Sequence, residues 1–142
     1  MIYLDTTYLV RLYFDDPGFE AVRRLAVTAP VACCILGRAE VSAALHRKLR
    51  EGALTPGQYR VVTGQFRKEC EGGVFRWLPF SGTVVSRVER NYATLAATVF
   101  LRAADALHLA CAVENRFREI HTNDPKLLSA APHFGIRGVN VI

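Results

Sequence analysis

No stretch of this sequence approaches the ~20 apolar residues needed to cross a bilayer. "YATLAATVFL" is only about half that length and carries threonines. The N-terminus lacks a basic start and its apolar run stops at Asp5, so no secretory signal is expected. The expectation is a soluble, cytoplasmic protein with no membrane partner. Cysteine is scarce and unpatterned: Cys33 and Cys34 are adjacent, Cys70 and Cys111 stand alone, and no C-x-x-C or Cys/His ligand spacing occurs. That argues against a zinc site or a disulfide framework and for small buried hydrophobes. There is no Walker loop and no G-x-G-x-x-G, so those nucleotide-binding modes are excluded. Repeats, low-complexity segments and linkers are also missing, and residues 1–142 read as one domain.

Acidic residues are outnumbered 13 to 18 by Lys and Arg, for a net charge of +5. Fifteen of the eighteen basic residues are Arg, whose planar fork grips phosphate bidentately. The balance favours an anionic partner such as nucleic acid; a codon preference for Arg is the plain alternative.

The pattern alternates strand and helix. "IYL" predicts a first strand, and "TTYLVRLYF" a helix that stops near Asp15-Asp16. "PGFEAVRRLAV" predicts a second helix begun by Pro17 and capped by the preceding Asp. "PVACCIL" is apolar on both faces, as a buried strand is. "GRAEVSAALHRKLREG" follows as a helix stopped by Gly52, and "TPGQYRVVTGQFRKECEGG" as a more polar one. "FRWL" is a third strand. A helix with Ser81 as cap covers "SGTVVSRVERNYATLAATV", its stripe running through Leu95 and Ala96. "AADALHLACAVENRF" is a buried helix, "EIHTN" a strand, "DPKLLSAA" a short helix and "IRGVNVI" a closing strand. Strands separated by helices imply βαβ units, and so an α/β fold with a parallel sheet and helices on both faces.

In such a sheet, ligands bind beyond the carboxyl ends of the strands. Asp5 ends the first strand, Glu40 lies early in the helix after the second, Asp105 near the start of its buried helix, and Asp124 just after "EIHTN". Each has an ordinary role open to it. Asp5 and Asp124 suit helix caps, the latter with Pro125 behind it. Asp105 suits a helix N-terminus, and Glu40 can pair with Arg38 or another neighbour. Together, four like charges on one rim would repel unless a cation neutralises them or their pKa values rise. An all-oxygen set suits Mg²⁺ or Mn²⁺ rather than zinc, and no His falls at a position to change that.

"IYLDTTYLV", "GRAEVSAAL", "LRAADALHLACAV" and "IHTNDPKLL" resemble the four motif blocks of PIN-domain ribonucleases, specifically the VapC-type toxins of toxin–antitoxin pairs. The resemblance spans nearly the whole chain, with "DALHLA" and "TND-x-x-L" its most specific pieces. It implies a three-layer α/β/α sandwich around a five-stranded parallel sheet. It also implies a metal site of Asp5, Glu40, Asp105 and Asp124 holding one or two Mg²⁺ (or Mn²⁺) ions, supported by Thr6, Thr122 and Asn123. Thr7 departs from the commoner serine or asparagine without disturbing the acids. The implied activity is hydrolysis of RNA phosphodiester bonds to 5′-phosphate and 3′-hydroxyl ends. The implied partners are an RNA substrate, a cognate antitoxin whose basic side chain enters the acidic pocket, and a second copy in a homodimer.

His108, three residues after Asp105, shares its helical face; it is expected either to assist proton transfer or to pack within the helix layer. His46, His121 and His133 form no constellation. "HRKLR" (with Arg47, Lys48 and Arg50), Arg60, Arg67 and Lys68 lie on two consecutive helices that could clamp an RNA backbone beside the acids or form a solvated face. Arg102 is the basic residue expected nearest the metal rim. Leu9, Leu12, Tyr13 and Phe14 could serve a partner surface or the core. A receiver domain would need an acidic pair after the first strand, and a haloacid-dehalogenase phosphatase a D-x-D; "DTT" offers neither. A PIN nuclease of RNA maturation without an antitoxin, and a non-catalytic PIN-fold binding module, are the remaining alternatives.

Overall fold

The computed structural model describes residues 1–142. Strand β1 (Ile2–Tyr3) leads into α1 (Thr6–Arg11) and α2 (Phe19–Ala26). Next come β2 (Val31–Cys34), α3 (Leu36–Arg50), α4 (Pro56–Glu71), β3 (Phe75–Leu78), α5 (Gly82–Thr94) and α6 (Ala103–Glu114). The chain closes with β4 (Glu119–His121), α7 (Pro125–Ala130), a 3₁₀ turn (Ala131–Phe134) and β5 (Arg137–Val139). No helix is long and apolar enough to cross a membrane.

Local chemistry accounts for most boundaries. Thr55 and Gln58 form a reciprocal capping box ahead of Pro56, satisfying two otherwise orphaned amides. Ser81 caps α5 through the Val84 amide. Gly52 stops α3 at φ +76°, a conformation that costs glycine little. Helices α1 and α6 stop at Arg11 and Glu114, short of the expected Phe14 and Phe117, and two further expectations fail. Neither Pro17 nor the Asp before it starts α2: the helix begins at Phe19 behind Gly18 at φ +85°, with no side-chain cap. Asp16 is drawn away by Lys48, whose Nζ lies 2.5 Å from its carboxylate. Helix α5 also ends at Thr94, because Leu95 is extended; Leu95 and Ala96 therefore lie beyond it.

All five strands pair in parallel, β1–β2–β3 in one sheet and β4–β5 in another. The expected single five-stranded sheet is thus divided. β1 and β4 meet only at the bridge Leu4–His121, beside which the Asp5 amide donates to the His121 carbonyl at 3.1 Å. The cause is brevity: β1 turns into α1 at Thr6, leaving no length for a full ladder. Every residue of β2 is buried, as a strand covered on both faces requires. A contiguous core of 28 buried residues draws on all the strands but β5 and on every helix. All four cysteines are free and buried in it.

Because β1 and β4 are neighbours and run the same way, their carboxyl ends open side by side. This brings the Asp5 and Thr122–Asp124 turns together, with α3 and α6 completing the surround.

Candidate active site

Asp5 follows β1 and is only 3% exposed. Its Oδ1 accepts from the Thr7 hydroxyl at 2.8 Å and from the Tyr8 amide at 3.1 Å, which caps α1. Its Oδ2 accepts from the Thr122 hydroxyl at 2.6 Å. Burial raises the Asp5 pKa, and these hydrogen bonds only partly oppose it.

Thr122, fully buried, also accepts from the Asp124 amide at 2.9 Å. One hydroxyl therefore ties the turn after β4 to the turn after β1. Asp124 caps α7, its Oδ1 accepting from the Lys126 and Leu127 amides at 2.8 and 3.4 Å. Its Oδ2 faces Arg102 Nη2 at 3.7 Å. Arg102 Nε simultaneously donates to Asp105 Oδ2 at 3.0 Å. The guanidinium therefore spans two carboxylates, which raises its own pKa, Asp105 contributing most.

Glu40 projects from α3 to meet α1 and α6. It accepts from the Thr6 hydroxyl and from His108 Nε2, the latter at 2.7 Å. Burial opposes its charge, but the His108 and Thr6 contacts and the Arg102 charge lower its pKa overall. His108, 3% exposed, meets the Tyr3 hydroxyl through Nδ1 at 2.9 Å. The Tyr3 oxygen in turn accepts from the Cys34 amide at 3.1 Å, and His108 Nε2–H donates to Glu40. Burial works against a charged imidazole, yet the Cys33 sulfur and Glu40 raise its pKa above the usual range.

His108 is buried in the helix layer and reaches the acids at Glu40. Spacing Asp105-x-x-His108 puts both on one face of α6, and Tyr3 of β1 aims the ring. That Tyr3–His108–Glu40 chain was hidden in the sequence because its members lie 105 and 68 residues apart.

Asp5, Glu40, Asp105 and Asp124 all line one cleft of about 730 Å³, together with Thr6, Asn123, Arg102, Arg47, Lys48 and His108. Thr122 lies beneath it, and Arg50 lines an adjacent hollow instead. Arg60 and Arg67 do not flank the acids; they line a separate groove. Arg11 and Lys126, which the sequence reading overlooked, also line the cleft. Arg11 Nη1 donates to the Thr7 carbonyl at 2.8 Å and to Asn123 Oδ1 at 3.3 Å, pinning the Asn123 amide. A basic residue four positions past Thr7 on a short helix was the one signal available for it.

The donor set is rich in carboxylate oxygen, the chemistry that hard divalent cations prefer. No three of the His, Cys, Asp and Glu side chains are gathered closely enough to hold a metal ion. Arg102 supplies the positive charge between Asp105 and Asp124. Holding a metal would require these carboxylates to draw together and the guanidinium to give way.

No curated protein matches this chain. Solved structures resemble it over almost its entire length. FitAcB from Neisseria gonorrhoeae is 20% identical with a TM-score of 0.74, covering 99% of this chain and 97% of that one. VapBC2 from Rickettsia felis, bound to a DNA fragment from its promoter, is 16% identical with a TM-score of 0.69, covering 99% and 98%. A toxin–antitoxin complex from Klebsiella pneumoniae is 17% identical with a TM-score of 0.65, covering 100% and 98%. At this identity the likeness is one of fold. The family model described as PIN domain matches residues 2–132, and the chain belongs to the PIN domain family.

Proposed function

We propose that this chain is a divalent-metal-dependent endoribonuclease and the toxin of a toxin–antitoxin pair, acting in the cytoplasm. The observation that carries the reading is the convergence of four carboxylates, from four separate segments of a PIN-domain chain, on one cleft with a basic border. The solved structures it resembles include toxin–antitoxin complexes, which supports an antitoxin as the partner that covers this cleft. A homodimer is the proposed assembly.

Asp5, Asp105, Asp124 and Glu40 would hold one or two Mg²⁺ or Mn²⁺ ions. A divalent ion there would neutralise the phosphodiester charge and acidify an attacking water. The chain's own residues do the positioning. Thr7, Thr122 and the Tyr8 amide hold both Asp5 oxygens in place. Thr6 and His108 orient Glu40, leaving its carboxylate to take the proton of the attacking water. Arg102, Arg47, Lys48, Arg11 and Lys126 surround the acids with cationic groups suited to the flanking phosphates. Cleavage would leave 5′-phosphate and 3′-hydroxyl ends.

The test is incubation of the purified protein with structured and single-stranded RNA in Mg²⁺, in Mn²⁺ and in EDTA, followed by mapping of the ends. Metal-dependent internal cuts bearing 5′-phosphates are expected. Cleavage undiminished in EDTA would refute the metal reading, and none in any metal would refute the nuclease. Expression should arrest growth, with relief from the product of a small neighbouring gene; indifferent growth would favour RNA maturation.

A further inference from the structure

Helix α3 carries more than Glu40. The acid cleft shares Glu40, Ala44 and Arg47 with a second hollow of about 540 Å³, to which His46 and Arg50 contribute. The two are therefore continuous along the helix. The His46 ring meets Tyr59 of α4 edge-on, 6.1 Å between centroids. Tyr59 in turn lines a third groove of about 580 Å³ between α3 and α4, bordered by Arg38, Arg60 and Arg67. Positions 38, 42, 46 and 50 stand in one i,i+4 row, which runs about 18 Å at 1.5 Å per residue.

The third groove has no carboxylate in its lining. Arg38, Arg50, Arg60 and Arg67 are all exposed, and none pairs with an acid; the ion pairs of the protein involve other cations. Arg38 instead lies over the Trp77 ring at 6.0 Å. Three uncompensated guanidiniums around one concavity attract an anion, and their fork geometry suits phosphate. A comparable cluster, Arg76, Arg116 and Arg118 around Met1, shares no lining residue with the acid cleft. The α3–α4 groove shares no lining residue with the cleft either, but its Tyr59 touches His46 of the hollow that adjoins the cleft, and that contact sets it apart.

We propose that this groove binds the phosphodiester backbone of a single-stranded RNA whose scissile segment lies in the acid cleft. The strand crosses the exposed face of α3 past Arg47 and Arg50. The His46–Tyr59 pair on its path offers an aromatic surface for an unstacked base, as single-strand-binding proteins do. This favours a nucleic acid strand over an acidic peptide. The proposal rests on the nuclease reading for the cleft, but the groove can be measured without cleavage.

The test is fluorescence anisotropy with full-length protein in EDTA, using labelled single-stranded RNA of about 15 nucleotides, duplex DNA of equal length, and polyglutamate. In R38Q/R60Q/R67Q, RNA affinity should fall at least tenfold. The slope of log K against log salt should shrink by about 2, at roughly 0.7 per lost phosphate contact. R24Q/R76Q/R118Q, which removes the same charge from exposed sites elsewhere, should stay within twofold of wild type. Equal losses in the two variants, or none in the first, would overturn the groove and leave the nuclease reading intact. A loss confined to duplex DNA or to polyglutamate would also overturn it. Strand binding that depends on the groove, with no RNA cleavage when Mg²⁺ is added, would support the groove and overturn the nuclease. Wild-type protein that binds no RNA would overturn both.

Discussion

The Thr122 hydroxyl donates to Asp5 Oδ2 at 2.6 Å while accepting from the Asp124 amide at 2.9 Å. A single buried oxygen thus sets the separation of two of the four cleft carboxylates. It bridges strand ends that lie 117 residues apart and that share only one β-bridge.

Thr122→Val keeps the shape and removes both hydrogen bonds. Leaving a buried carboxylate and a backbone amide short of a partner should cost about 1–3 kcal/mol, read by urea denaturation. Cleavage should fall more than stability accounts for, and Thr122→Ser should restore most of it. A stability equal to wild type would mean that the link carries no load.

Asp5→Asn should abolish metal-supported cleavage, a loss of at least about a hundredfold if the carboxylate is a ligand. In metal-free protein the same variant should be at least as stable as wild type at pH 8. The sign follows from linkage. Burial raises the Asp5 pKa on folding, so its stabilising contribution is full below the unfolded carboxylate pKa and is lost as pH rises through the folded value. Asparagine does not incur that loss, and the gap in melting temperature should narrow as pH falls toward the ordinary carboxylate range. A gap that widens on acidification would contradict this account.

Arg102 lies between Asp105 and Asp124, yet its side chain is 58% exposed. An exposed pair of this kind contributes at most about 1 kcal/mol. Arg102→Gln should therefore melt near wild type while binding Mn²⁺ more tightly by isothermal titration calorimetry. Unchanged or weaker Mn²⁺ binding would show that the guanidinium does not compete with the ion.

His108→Ala empties a buried site and strands both Tyr3 and Glu40 (3% exposure for the histidine itself). A loss of about 2–4 kcal/mol is expected from cavity and unpaired polar groups together. His108→Gln, which still reaches Glu40, should recover part of the stability. If the alanine variant unfolds like wild type, the Tyr3–His108–Glu40 chain is not a structural support.

Periodicity and punctuation made the element order readable from the chain. "FRWL" spans β3 residue for residue, and Ser81 and Gly52 bound their helices as short-range chemistry dictates. Where a distant group competes, local reading fails. Asp16 looked like a cap but is held by Lys48, 32 residues on. The sheet division escaped prediction too, because the number of rungs between β1 and β4 depends on where the backbone bends, not on residue type.

By itself, then, the sequence determined the α/β alternation, the places of Asp5 and Asp124 just after strands, and the basic excess. Each follows from composition or from contacts a few residues apart. Only the tertiary structure decided that Thr122 links two acids, that Arg102 lies between two others, and that His108 reaches Glu40. It alone separated Arg60 and Arg67 from the cleft. These depend on side chains meeting across long loops, where packing, burial and charge choose the partner.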